Sequence, residues 1–164
     1  FSGSSGSSAL KFSMARPSRR YGTFPGPRIR HSRRLAVAVD TSGSIGQDTL
    51  ASFFGQLDWI RRTGTEVTVI ECDDSIGRVW EYRGQIPMGA SGGGGTSFEP
   101  VFARISEKRS REAFDGLVYL TDGQGQMPTT RIPCRVLWVL APGAPQAWEP
   151  PCGSAIRMAE GERG

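Results

Sequence analysis

The sequence contains few of the residues that build zinc sites, disulfide frameworks or metallopeptidase centres. Its 164 residues include three cysteines and one histidine. The cysteines are widely spaced without a CxxC pair, and a single histidine cannot supply an HExxH motif. These absences argue against a disulfide framework and a zinc site, and we expect a reducing, cytoplasmic setting.

Long hydrophobic runs are also missing. No apolar stretch reaches the roughly 18 residues of a membrane span, and no signal-peptide pattern opens the chain. We therefore expect no membrane partner. The length and the 37% hydrophobic content suit one domain with a real core. Because the chain starts with Phe1 rather than Met, we expect it to be part of a longer or processed protein.

Acidic residues are absent from the first 34 positions. This segment holds 8 of the 20 basic residues and none of the 16 acidic ones, so the rest of the chain has an excess of four acids. Its Gly/Ser-rich start and its prolines predict a basic arm or linker over residues 1–32, followed by a folded domain over residues 33–164. Basic arms can contact nucleic acid, but no nucleic-acid-binding module is recognisable here, and we expect a protein contact or a link instead.

From residue 33 onward, apolar segments of strand length alternate with amphipathic helices. One helix is predicted from Leu50 to Ile60 and another from Phe98 to Ile105. The segment "RVWEYR" follows the second strand after a link too short for a crossover, so we predict an antiparallel edge strand. The buried strands are "RLAVAVD", "EVTVIEC", "GLVYLTD" and "RVLWVLA", with "SAIRM" as a short last strand. This order predicts an α/β fold with a mainly parallel central sheet and helices on both faces.

Oxygen-bearing side chains follow the predicted strands at the edge where open parallel sheets bind ligands. The segment "DTSGS" supplies Asp40, Ser42 and Ser44, and "TDG" supplies Asp122. Thr96 follows a run of four glycines. Two carboxylates and three hydroxyls form the all-oxygen site that hard cations such as Mg²⁺ or Mn²⁺ prefer. The sequence predicts a metal site at these five residues.

Thr96 is predicted to be free to face this site because Ser97 is the better helix cap. The segment "TSFE" is typical of a capping box. Capping by Ser97 places Pro100 at the third helical position, where its missing N–H costs little. We also expect Gly43 and Gly123 to free the backbone turns beside the two acids.

Other conspicuous residues receive structural interpretations. Asp73 and Asp74 are expected in a tight hairpin turn rather than in a second acidic site. Trp59, Trp80 and Trp138 are expected in core or half-buried positions. The glycine run lacks the lysine and the spacing of a phosphate-binding P-loop.

Taken together, "DTSGS", Thr96 and "TDG" resemble the metal-ion-dependent adhesion site (MIDAS) of von Willebrand factor A-like (VWA) domains. The resemblance covers roughly residues 33–141 and implies a Rossmann-like VWA fold. The segments "ECDDSI" and "GGGGTSFEPVF", with "RPSRR" and "PGP" ahead of the first strand, resemble the C-terminal VWA-like domain of bacterial proteins predicted to be metal-dependent peptidases. In that family a separate N-terminal domain carries the peptidase-like motif. The resemblance thus implies that this sequence is not itself catalytic.

The resemblance also implies roles for the site residues. Ser42 and Ser44 would bind the metal directly, Asp40 and Asp122 mainly through water, and Thr96 in either way. An Asp or Glu of a partner would fill the open position, so the implied function is that of an adaptor that captures an acidic side chain. A MoxR-type AAA+ ATPase is an implied partner. The short connection between the last two main strands implies that one helix of larger relatives is absent.

Two other functions remain open at this stage. The first is a magnesium-dependent phosphoryl-transfer enzyme with Asp40 as nucleophile. Against it, Ser42 stands where a second Asp is expected, and Lys108, the only lysine after residue 32, lies in a predicted helix. The second is a structural VWA scaffold with a degenerate metal site.

Overall fold

The computed structural model describes residues 8–13, 26–42, 45–86, 95–107 and 113–159. The helices are α1 (Gln47–Arg62) and α2 (Glu99–Glu107). The strands are β1 (Ser8–Ser13), β2 (Gly26–His31), β3 (Arg34–Asp40), β4 (Glu66–Cys72), β5 (Ile76–Glu81), β6 (Gly116–Thr121), β7 (Arg135–Leu140) and β8 (Ser154–Arg157).

Strands β3 to β8 form one six-stranded sheet in the order β5-β4-β3-β6-β7-β8. All neighbours are parallel except β4 and β5, which pair antiparallel at one edge. The apolar runs of β3, β6 and β7 occupy the centre because strands covered on both faces need apolar side chains at nearly every position. This architecture confirms the predicted α/β fold and its antiparallel edge strand.

One helix covers each face of the sheet. Val37 and Val39 of β3 share a buried cluster with Phe54 of α1. Ala36 and Ala38 point the opposite way and share a second cluster with Phe102 of α2. Because successive side chains of a strand alternate between faces, this division confirms the predicted helices on both sides.

Two segments of the basic N-terminal region form strands. Strands β1 and β2 pair antiparallel in a separate two-stranded sheet, with Ser8 opposite His31 and Ser13 opposite Gly26. Extended segments satisfy their backbone donors and acceptors by such pairing, which Gly/Ser and Arg content does not prevent. The sequence did not predict these two strands, and the division into an arm or linker over residues 1–32 and a domain over residues 33–164 remains a prediction.

The tryptophan predictions are confirmed except for Trp59. Trp138 is fully buried and Trp80 is half-buried, whereas 68% of Trp59 is exposed. Trp59 follows the buried Leu57 by two residues, and a helix turns by about 200° over that distance, so its side chain leaves the core. Within the described residues, neither helix has the length and apolarity of a bilayer span.

Candidate metal centre

Two buried acids lie at the carboxyl end of adjacent parallel strands. Asp40 is the last residue of β3 and Asp122 directly follows β6. These two strands pair in parallel, so both acids are carried to the same edge of the sheet. Asp40 is 1% exposed and Asp122 is 7% exposed. A sheet edge of this kind is where open α/β folds place their ligand sites.

Both carboxylate oxygens of Asp40 accept hydrogen bonds from separate parts of the chain. The Oδ1 atom accepts from the backbone N–H of Ser42 at 3.0 Å and from the Thr96 hydroxyl at 3.3 Å. The Oδ2 atom accepts from the Thr121 hydroxyl at 3.0 Å. The carboxylate is therefore fixed in orientation by two threonines that lie 56 and 81 residues away in sequence.

Backbone pairing with the loop after β6 carries Thr96 to Asp40. The Thr96 carbonyl accepts from the N–H of Gln126 at 2.9 Å, and Ser97 forms an isolated parallel β-bridge with Gln126. This pairing corrects the prediction that Ser97 caps α2. The helix begins at Glu99, and the Phe98 carbonyl accepts its first bond, from Phe102. The Ser97 N–H donates instead to the Asp73 carbonyl at 2.8 Å.

A glycine turn positions Asp122. Gly123 has a φ of +82°, a backbone conformation that side chains with a Cβ rarely adopt, as predicted from its place after the acid. The Asp122 Oδ1 atom accepts from the N–H of Gln124 at 2.8 Å. The Gly123 N–H donates to the Thr121 hydroxyl at 3.1 Å. Thr121 therefore links the turn to Asp40.

The site carries negative charge without a counter-ion among the described residues. Burial raises the pKa of Asp40; hydrogen bonds from Ser42 and Thr121 oppose this rise, and the nearby charge of Asp122 adds to it. None of the ion pairs found in the described residues involves either acid. A buried carboxylate without a positively charged partner destabilises the folded state, and a divalent cation would supply the missing positive charge. The donor set therefore fits a hard cation.

Four of the five predicted site residues come together in the structure: Asp40, Ser42, Thr96 and Asp122. Ser44 and Gly43 lie outside the described residues. The described residues contain no cluster of three or more His, Cys, Asp or Glu side chains, so hydroxyls form part of any oxygen site built here.

Thr121 is a further site residue that was not predicted from the sequence. Its hydroxyl is fully buried and contacts both Asp40 and the Gly123 N–H. The available signal was a polar residue at the end of an apolar strand, directly before the acid. Asp73 behaves as predicted, because its carboxylate accepts from the Ser75 N–H at 3.1 Å in the turn between β4 and β5.

A buried thiol lies behind the site. Cys72 is paired with Asp40 across β4 and β3, and its Sγ atom lies 3.0 Å from the hydroxyl of Tyr119. Burial raises the pKa of Cys72 to about 12, so the thiol stays protonated at neutral pH. A protonated thiol is a poor nucleophile and a poor metal ligand. The polar chemistry of the site therefore rests on oxygen atoms.

Comparison with known proteins places this geometry in a family. Residues 35–159 match the family model described as VWA-like domain (DUF2201). The chain is also 36% identical over 129 residues to an uncharacterized protein of Thermotoga maritima. The matched region covers 77% of this chain but 31% of that relative, so the similarity concerns about a third of the longer protein.

Proposed function

This chain belongs to the VWA-like domain (DUF2201) family, a class of protein-interaction or scaffold modules, and from that premise we propose that it is a divalent-cation-dependent adaptor. Its residues Asp40, Ser42, Ser44, Thr96 and Asp122 would form a MIDAS that holds Mg²⁺ or Mn²⁺. Through this ion it would capture an acidic side chain of a protein partner.

The observation that carries the proposal is the pair of buried acids with hydroxyl groups around them. Asp40 and Asp122 lie at one sheet edge without an ion-pair partner in the described part of the chain. Thr96 crosses from another segment to reach Asp40. A purely structural turn has no need of two buried negative charges, which destabilise the folded state unless they are compensated.

The proposed recognition of an acidic side chain follows from the small number of carboxylates that would bind the metal directly. A bound cation would act as a Lewis acid toward an incoming carboxylate. Thr121 and the Ser42 N–H hold Asp40 in place for this task, and the Gly123 turn presents Asp122. A carboxylate from a partner gains a charge-assisted bond that a neutral amide cannot supply.

We further propose a context for the domain. The chain corresponds to about 31% of the length of the Thermotoga protein, which fits a domain of a larger, metallopeptidase-like bacterial protein. A cytoplasmic location and a MoxR-type AAA+ ATPase as partner belong to the same proposal. Any peptidase activity would be carried by another part of such a protein.

A structural scaffold is the second candidate, and one observation favours it. The Thr96 and Thr121 hydroxyls join three segments through direct hydrogen bonds to Asp40. In that case chelation would change neither partner binding nor stability. The phosphoryl-transfer alternative gains no support, because Asp40 is 1% exposed and both its oxygens are engaged in hydrogen bonds.

The adaptor proposal can be tested with small carboxylate probes. N-acetylglutamate amide is titrated into the protein in Mg²⁺, in Mn²⁺ and in EDTA, with N-acetylglutamine amide as the uncharged match. We expect weak binding of the glutamate probe with either metal and none in EDTA. Equal binding of both probes, or binding that persists in EDTA, would contradict the proposal and favour a scaffold.

A further inference from the structure

The segment that follows β7 returns to the Asp122–Gly123 turn and places an indole ring on it. A Cβ atom added to Gly123 would lie 2.9 Å from Cδ1 of Trp148 and 3.2 Å from its Nε1. Only glycine fits this contact without displacing the ring. The indole is therefore packed directly on the backbone that presents Asp122.

The Trp148 ring also packs against the core. Its ring centroid lies 5.4 Å from that of the fully buried Trp138, in an edge-to-face arrangement. Trp138 in turn stacks on Tyr119 of β6 at 5.0 Å and meets Phe98 at 5.1 Å. Phe98 follows Thr96 by two residues, so this aromatic cluster connects the segments that carry Thr96 and Asp122. Aromatic contacts of this kind add stability beyond that of the area that they bury.

Backbone contacts hold the segment that carries Trp148. The guanidinium of Arg157 donates to the carbonyls of Ala144, Pro145 and Gln146, at 3.0, 2.6 and 3.1 Å. The backbone N–H of Trp148 donates to the Pro145 carbonyl at 3.2 Å. The ring is thus placed by an ordered loop.

The Trp148 ring contacts the Gly123 turn by packing, with Cδ1 and Nε1 nearest to it. The Trp148 Nε1 atom is buried and finds no hydrogen-bond partner among the described residues. A buried N–H without a hydrogen-bond partner is unfavourable, so the indole N–H does not stabilise this arrangement by hydrogen bonding. A phenyl ring at this position would keep an aromatic, though smaller, side chain and would lack the unpaired donor.

We infer that Trp148 is a positioning residue of the metal centre, which braces the Gly123 turn and thereby fixes Asp122. This inference rests on the proposed function. Residues that orient metal-binding groups from outside the ligand set alter metal affinity by about 10- to 100-fold when they are replaced. The prediction is therefore a loss of affinity in a chain whose oxygen donors are all intact.

The test compares Mg²⁺ and Mn²⁺ affinity, measured by calorimetry on the 164-residue chain, in four variants. We expect Trp148→Ala to weaken binding at least about 10-fold, and Trp148→Phe to stay within about 3-fold of the unsubstituted protein. Trp148→Leu is expected to fall between them. Trp59→Ala is the matched control, because Trp59 is exposed on α1 and should leave affinity unchanged.

Tryptophan fluorescence gives a second readout, which identifies the ring that lies near the bound ion. We expect Mg²⁺ to change the emission of the unsubstituted protein and of Trp59→Phe, and to leave the emission of Trp148→Phe unchanged. The change would thereby be assigned to the ring beside Asp122.

The outcomes separate the inference from the function on which it rests. If the unsubstituted chain binds neither ion, the proposed function fails and the inference with it. If it binds and Trp148→Ala binds equally well, the inference alone is overturned. Should Trp148→Ala fail to fold, Trp148→Leu decides, since unchanged affinity in that folded variant would overturn the inference and weakened affinity would support it.

Discussion

Asp40 is the residue on which the site depends. Its side chain is almost fully buried, it lies near a second acid, and it is held by a backbone N–H and two threonine hydroxyls. Hydrogen bonds orient the carboxylate but do not neutralise it. In the metal-free protein this residue should therefore reduce stability at neutral pH.

Replacement of Asp40 by Asn should stabilise the metal-free protein at pH 7 to 8. Because burial raises the pKa of Asp40 in the folded state above its unfolded value, the folded state binds more protons between the two values. The free energy of unfolding consequently falls as pH rises through this window, and the cost is fully present above it. Asn keeps most of the hydrogen bonds without the charge.

Thermal unfolding in EDTA across pH 4 to 8 measures this effect. Each kcal/mol gained in the free energy of unfolding should raise Tm by about 2–4 °C. The gap in Tm between Asp40→Asn and the unsubstituted protein should narrow toward pH 4. Asp58→Asn is the control of opposite sign, because Arg61 lowers the pKa of that carboxyl. A gap that is constant with pH would refute the assignment of the cost to Asp40.

Thr121 should be sensitive to loss of its hydroxyl. Thr121→Val keeps the shape but leaves Asp40 Oδ2 without its donor and the Gly123 N–H without its acceptor. We expect a loss of about 1–3 kcal/mol in urea denaturation. Thr121→Ser retains the hydroxyl and should lose less. Equal losses for Ser and Val would show that packing, not hydrogen bonding, matters here.

At the scale of elements, the sequence predicts the strands and helices whose formation depends on the pattern of neighbouring residues. Strands β3, β4, β6 and β7 and both helices follow from their apolar patterns, and Asp40 and Asp122 lie close together because parallel strands end at one edge. The cap of α2 was not predictable, since it depends on the pairing of Thr96 and Ser97 with Gln126, 29 or more residues away. Thr121 was missed for a similar reason, because its hydroxyl donates to Asp40, 81 residues away in sequence.

Two glycines provide a matched pair of substitutions with opposite signs. Gly55 lies on the exposed side of α1 with open space where a Cβ would lie, so Gly55→Ala should stabilise by about 0.5–1 kcal/mol. Gly123 has a φ of +82° and contacts Trp148, so Gly123→Ala should destabilise by about 1–3 kcal/mol. Chemical denaturation of both variants measures the difference. A neutral Gly123→Ala would show that the turn is not under the constraint described.

For the whole molecule, the central question is what compensates the buried acids. None of the ion pairs found among the described side chains involves Asp40 or Asp122. A cation bound between β3, β6 and the Thr96 segment would tie together parts of the chain that are distant in sequence.

Mg²⁺ at 100 times its Kd should then raise the free energy of unfolding by about 2.7 kcal/mol. Thermal unfolding with Mg²⁺ and with EDTA checks this, and equal Tm values would contradict it.

Calorimetric titration of Mg²⁺ and Mn²⁺ into the unsubstituted protein, Asp40→Ala and Glu81→Gln tests the metal centre most directly. Glu81 is an exposed acid on β5, paired with Arg83, and its replacement changes the net charge by the same amount as that of Asp40. We predict one bound ion per chain for the unsubstituted protein and for Glu81→Gln, and none for Asp40→Ala. Undiminished binding by Asp40→Ala, or no binding by the unsubstituted protein, would contradict the metal centre proposed here.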